Sequence, residues 1–314
     1  MGSAPAPVAS EASGRAWPDA RDLLDRAGFV ICIAVGAVLG VGYAVFDTRP
    51  IDAALFWNAG HRASYYGEVW SLTAGFIYPP PLAQVVGLLP WPVFIVPWML
   101  LIFGSLWYAT RWLSGPIVLV GIVAWIVSGV EGPLASIFVF AAVGNPQTVI
   151  AAAIVLGFKH PSAWAFVILT KIGPGIGVLW FAFRKEWRKF GTAIGATAGI
   201  ALVSFILAPG TWVEFIRFAA ANYATPSPVP IVPIPLYVRI PIALVVLAWA
   251  ARTNRPWAVL VVSGWSALAL YQWSYLTLWA AAVPMLVDAR LKRRARESGG
   301  SVSPERGPRQ LGPE

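Results

Sequence analysis

The stretch that decides the fold is Asp47 to Pro81, DTRPIDAALFWNAGHRASYYGEVWSLTAGFIYPPP, a polar and aromatic run set between long apolar segments. It gathers the carboxylates Asp47, Asp52 and Glu68, the basic pair His61 and Arg62, and Tyr65 and Tyr66, and it closes on Tyr78-Pro79-Pro80-Pro81. Each proline removes a donor and fixes φ, so no ordinary helix is expected where the chain re-enters apolar sequence. The run reads as a reaction loop that is held in place.

The flanks of that loop define the class of protein. The chain is 58% hydrophobic and 12% charged, with 17 Trp and a mean hydropathy of +0.69, far from any soluble globular average. An all-α polytopic membrane protein is expected, with crossings of roughly 20 residues each. The net charge of +9 falls in short clusters at the ends of apolar runs, which is an orientation signal and not a nucleic-acid surface. The single Cys32 lies inside the first apolar run and excludes a disulfide framework.

Residues 1–27 read as a disordered cytoplasmic tail, 28–288 as the membrane domain and 289–314 as a second disordered tail, rich in Arg and Lys. Within the domain the first helix is expected over Gly28 to Phe46, the second over Leu82 to Tyr108, and the third over Pro116 to Val143 with a kink at Glu131-Gly132-Pro133. A turn at Gly144 to Gln147 leads into a short helix from Thr148 to Phe158. The apolar run Ser162 to Phe183 is basic at both ends and broken at Lys171-Ile172-Gly173-Pro174. It therefore reads as two short helices, Ala163 to Thr170 and Pro174 to Phe183, that enter and return, with Lys171 marking a cavity. Further helices are expected over Phe190 to Leu207, Leu236 to Ala250, Trp257 to Leu270 and Tyr275 to Val287, with a second outer loop over 209–235. Ten whole or half crossings and a cytoplasmic N-terminus put every basic cluster inside. They put the reaction loop, Asn145, Gln147, Lys171 and Gln272 on the outer face.

No metal-ligand spacing, nucleotide-binding loop or Ser/His/Asp constellation is present in a supporting context, so neither metal nor cofactor is expected. A few carboxylates opposite a cation suit an inverting group transfer: a carboxylate deprotonates an acceptor hydroxyl while cations stabilise a phosphate leaving group. Each candidate also has a plainer reading. Asp52 suits the cap of a helix starting at Ala53, and Asp47 suits a cap for the first helix or a partner for Arg49. Lys171 suits a snorkelling lysine, while His61 and Arg62 suit lipid headgroups.

Asp52-x3-Phe56-Trp57-Asn58-Ala59-Gly60, Tyr65-Tyr66-Gly67 and Phe76-x-Tyr78-Pro79-Pro80 together resemble the first outer loop of family-87 glycosyltransferases, the polyprenyl-phosphate-mannose-dependent GT-C type. Gly144-Asn145-Pro146-Gln147 resembles that family's Gly-Gln-x-Asn turn with changes, and Lys171-x-x-Pro174 its Lys-x-x-Pro element. The resemblance covers Asp47 to Trp187. It implies a GT-C-like bundle in the cell membrane with a catalytic first outer loop, a polyprenyl-phosphate sugar donor and a lipid or glycan acceptor. By motif position the base is Asp52, with Asp47 competing. Lys171, His61 and Arg62 are expected on the donor phosphate. Asn58, Tyr65, Tyr66, Tyr78, Asn145, Gln147 and Gln272 are expected around sugar and acceptor. Gln272-Trp273-Ser274-Tyr275 stands where the family often has a His. From another class, a transporter or lipid flippase, or a non-catalytic relative, remains open.

Overall fold

The computed structural model describes residues 20–66, 76–128, 132–222, 234–267, 273 and 275–299. Among these residues every regular element is helical. In chain order the helices are α1 (Ala20–Val45), α2 (Ile51–Gly60), α3 (Pro80–Val86), α4 (Trp91–Thr110), α5 (Ser114–Ser128), α6 (Pro133–Ala142) and α7 (Gln147–Gly157). They continue as α8 (Trp164–Thr170), α9 (Leu179–Phe183), α10 (Trp187–Leu207), α11 (Pro209–Asn222), α12 (Leu236–Arg252), α13 (Trp257–Trp265) and α14 (Leu276–Gly299).

Among the described residues three helical runs are long and apolar enough to cross a membrane: Ala20–Val45, Trp91–Val127 and Trp187–Leu207. A fourth is the pair Ala135–Ala142 and Gln147–Gly157, bent by 99°. α1 and α10 present bare apolar faces, with Val38 71% and Leu207 76% exposed. Faces of this kind match a lipid surroundings better than water.

The run Trp91–Val127 does not continue straight. At Arg111 the backbone takes φ 53, closing α4. Phe138 packs its ring against Phe103 at 6.3 Å and its Cβ against Gly121. In a straight helix Phe103 and Gly121 would stand about 27 Å apart, a gap no single side chain bridges. α4 and α5 are therefore a hairpin, turned at Arg111 and packed on α1, where Gly28 touches Ser114 and Gly36 touches Phe103. Asp25 locks the closed end: it pairs with Arg111 at 3.2 Å and accepts from Trp107 Nε1 at 3.1 Å.

The same contact corrects the expected third helix. Gly121 and Phe138, about 25 Å apart on one helix, are in contact, so α5 and α6 fold back on each other. α6 thus packs back along α5, and Gly144 to Pro146 is a bend within the next run. Residues 129–131, including Glu131, lie outside the described residues. The expected break at Lys171 is present: Lys171 ends α8 in extended conformation, and a 3-10 turn at Gly173–Val178 leads into α9. Gly177 lies against the Trp164 ring, 2.6 Å from where a Cβ would sit. Thirteen residues of straight helix would separate them by about 20 Å, so this segment is a return hairpin with Lys171 at its tip.

Other boundaries also differ from the expected ones. α3 begins at Pro80 with Pro79 as its cap, because proline fits the first helical turn, where its missing N–H has no partner to lose. The expected second helix is split into α3 and α4 at Gly87 to Pro90, where the backbones of Gly60 and Gly87 touch. The 209–235 loop is helical as α11 over its first half, and α14 continues past Val287 to Gly299.

Among the described residues two clusters of buried side chains make the core. One joins α1 to α6, and the other joins α7 to α10 and α12 to α14. α7 serves both, with Val149 in the first and Ile150 in the second, and Phe166 packs against each.

Candidate functional site

Asp52 sits in the first turn of α2, where the helix dipole favours a carboxylate. It is not the cap: Pro50 precedes the helix, and among the described residues no side chain caps it. Instead, the Asp52 and Ala53 amides both donate to Val143 O at 3.1 Å, tying α2 to the bend before α7. Gly144 makes this docking possible. It takes φ +81, and Ala53 Cβ lies 2.6 Å from where a Cβ on Gly144 would be. Trp98 Nε1 donates to Gly144 O at 2.9 Å and holds the bend from the other side.

Across this joint Asn145 Nδ2 donates to Asp52 Oδ2 at 3.0 Å, and Asn145 Oδ1 accepts from the Gln147 amide at 3.1 Å. Two oriented bonds on Asn145 leave one geometry for its amide, so it aims and supports the carboxylate. Gln147 is 1% exposed, and among the described residues neither polar atom of its carboxamide has a hydrogen bond of good geometry; the neighbouring Thr148 hydroxyl is in the same state. Buried polar groups in that condition are costly unless a ligand or water meets them.

The cation arrives from the hairpin tip. Lys171 Nζ lies 5.6 Å over the Tyr78 ring and 5.5 Å over the Tyr275 ring, and its charge is attracted to Asp52. Tyr78 stacks on Phe56 of α2 at 4.8 Å and accepts from Tyr66 Oη at its carbonyl, 2.7 Å away. The structure thus brings Asp52, Asn145, Gln147, Lys171 and Tyr78 to the seam between the two core clusters. A carboxylate, a half-buried ammonium and an aromatic wall can together take a proton from a hydroxyl and stabilise a departing anion.

Other sequence candidates lie elsewhere. Asp47 is exposed after α1, in left-handed conformation at φ 47, and pairs loosely with Arg49 at 3.5 Å. His61 and Arg62 follow the far end of α2, about 13 Å along the axis from Asp52. The His61 ring stacks on Trp57 at 4.0 Å, with Nδ1 2.8 Å from Trp57 O. Asn58 is partly buried on α2, and its carbonyl accepts from the His61 amide at 3.1 Å. Tyr65 packs edge-on against Phe76, and burial pushes its phenol above the ordinary tyrosine range. Gln272 and Glu68 lie outside the described residues.

Two neighbours of the site were not anticipated. Tyr275 is 7% exposed, with its hydroxyl beside the Gln147 carboxamide. Arg239, 4% exposed in the first turn of α12, interacts with Tyr275 and donates to Ile234 O, Trp265 O and Ala267 O at 3.0, 2.8 and 2.7 Å. A lone cation within the apolar run after Leu236 was the available signal, because such a residue is expensive unless it is used. Among the described residues no group of three or more His, Cys, Asp or Glu gathers as a metal site would need.

Comparison with protein-family models, with curated proteins and with solved structures finds no match.

Proposed function

We propose that this chain is an integral membrane glycosyltransferase that moves a hexose, in our reading mannose, from a polyprenyl-phosphate donor to a lipid or glycan acceptor. The observation that carries the reading is the Asn145–Asp52 bond at 3.0 Å with Lys171 opposite. Asp52 takes the proton of the acceptor hydroxyl. The hydroxyl oxygen forms a bond to the anomeric carbon while the bond from that carbon to the phosphate oxygen breaks. The electron pair leaves with polyprenyl phosphate, and Lys171 stabilises the charge. Attack opposite the leaving group inverts the anomeric centre. Gln147 and Tyr275 supply the polar edge for sugar hydroxyls. This role suits the Gln147 carboxamide, buried beside the Tyr275 hydroxyl.

In this scheme about ten whole or half crossings build a GT-C-like bundle in the cell membrane. Both termini are cytoplasmic and the Asp52 site is extracytoplasmic. Lys159, Arg184 and Lys185 flank the open end of the α8–α9 hairpin, where Phe158 packs on Trp180, and lie away from its Lys171 tip, in agreement with the positive-inside bias. A carrier is the second reading. It is favoured by a second break, the 99° bend before α7, which with Lys171 gives two discontinuities at one site.

The test is transfer of radiolabelled mannose from polyprenyl-phosphate-mannose in membranes carrying the full chain. Asp52→Asn is expected to lower turnover by about 10²-fold or more, Asp47→Asn to leave it within about twofold, and Lys171→Ala to weaken use of the donor. No transfer by the wild type to any lipid or glycan fraction sinks the transferase reading in favour of the carrier.

A further inference from the structure

A second polar cleft lies beside the candidate site. Ser64, Tyr66, Glu214, Arg217 and Phe218 line a shallow depression that is open to the surroundings. At 100° per residue Glu214, Arg217 and Phe218 fall on one flank of α11. Phe215, on the next flank, is buried against Tyr66 at 5.7 Å between ring centroids, while Val213 and Ile216 are exposed at 42% and 61%. α11 thus separates an apolar edge from a charged one.

The chemistry of the lining narrows the ligand. Ser64 Oγ donates to Glu214 Oε2 at 3.1 Å, so a carboxylate acceptor is oriented at the rim. Arg217, one helical turn on, supplies donors. Tyr66 and Phe218, with centroids 5.4 Å apart and planes at 31°, supply aromatic surface. A simple anion would face Glu214, and a simple cation would face Arg217. A neutral polyhydroxyl group suits both, because each hydroxyl donates and accepts and the carbon face of a sugar ring packs on aromatic rings.

The cleft and the Asp52 site share a wall. Tyr66 lines the cleft and donates its hydroxyl to Tyr78 O at 2.7 Å, while the Tyr78 ring lies under Lys171. We infer that Ser64, Tyr66, Glu214, Arg217 and Phe218 form a saccharide-binding subsite and, resting on the transferase reading, that it holds the distal part of a glycan acceptor whose hydroxyl meets Asp52.

The experiment is saturation-transfer NMR of methyl α-mannoside with the full chain in lipid nanodiscs, with glycerophosphoethanolamine as the competing probe. Mannoside is expected to bind the wild type and to bind Glu214→Gln and Arg217→Gln roughly tenfold more weakly, with Asp47→Asn, outside both sites, unchanged. Arg217→Lys, which keeps the charge and the helix, provides a second variant should the others unfold, with an intermediate loss expected. Equal binding by the wild type and Glu214→Gln, or no binding, overturns the proposal. So does displacement of mannoside by glycerophosphoethanolamine, which would make the cleft a lipid-headgroup site. The transfer assay separates the two readings. Mannoside binding without any transfer removes the acceptor role and leaves the saccharide subsite. Transfer with an acceptor KM unchanged in Glu214→Gln overturns the acceptor role of the cleft and leaves the transferase.

Discussion

Gly144 is the residue on which the geometry of the Asp52 site turns. Its φ of +81 lets Val143 O receive two amides of α2 while the backbone passes Ala53 with no room for a Cβ. Gly144→Ala should cost about 1–3 kcal/mol from left-handed strain, with the Ala53 clash in addition. Thermal unfolding in nanodiscs should show a drop of several degrees. The double variant with Ala53→Gly should recover the part due to the clash and leave the part due to φ. A melting point for Gly144→Ala equal to that of the wild type would show that the bend adopts another backbone. Asp52 itself was legible as a candidate base from its motif, and the cap reading was equally legible. Only its placement in the first turn, after Pro50 and opposite Asn145, separates the two.

Among the elements, the corner between α9 and α10 carries a compact charge cluster. Glu186 accepts from Arg184 Nε at 2.7 Å and from Lys189 Nζ at 2.8 Å, and Arg184 also reaches Ala251 O and Asn254 at the end of α12. Burial works to raise the Glu186 pKa, but the bonds and charges of the two cations outweigh it and hold the carboxyl below its ordinary value. A depressed carboxyl contributes stability that is present above its unfolded-state pKa and is lost as pH falls through its folded-state value. The acid-side decline in melting temperature should therefore be shallower in Glu186→Gln than in the wild type, with little difference near neutrality beyond a constant offset. Identical acid-side slopes would show that the cluster does not titrate with unfolding. Element type was readable along most of the chain, since apolar runs bounded by Pro, Gly and basic residues become helices. Reversals were harder to place, because Gly132 and Gly144 look alike as breakers, and one marks a fold-back while the other marks a bend.

For the whole molecule the central claim is that Trp91–Val127, helical almost throughout, is a hairpin. Spin labels at Val93 and Val127, both exposed, in a Cys32→Ala background should lie within roughly 30 Å of each other in a hairpin, against about 51 Å for a straight helix. A distance near the longer value would undo the packing of α5 on α1 and the route by which α6 delivers Asn145 to Asp52. Composition and periodicity determined by themselves that the chain is helical with runs able to cross a membrane, because apolar runs of 20 residues between basic clusters have few other stable forms. The sequence also determined the break at Lys171, since a breaker beside a cation in apolar surroundings is a local signal, while Asp52, Asn145, Gln147 and Tyr78 were nominated by the resemblance of the motifs that contain them. Only the tertiary structure decided that Lys171 and Tyr275 complete that group, that Arg239 braces it, and that His61 and Arg62 stand at the other end of α2. Those outcomes depend on where hairpins reverse and which backbones touch at glycine, and such contacts join residues far apart in sequence that no local pattern records.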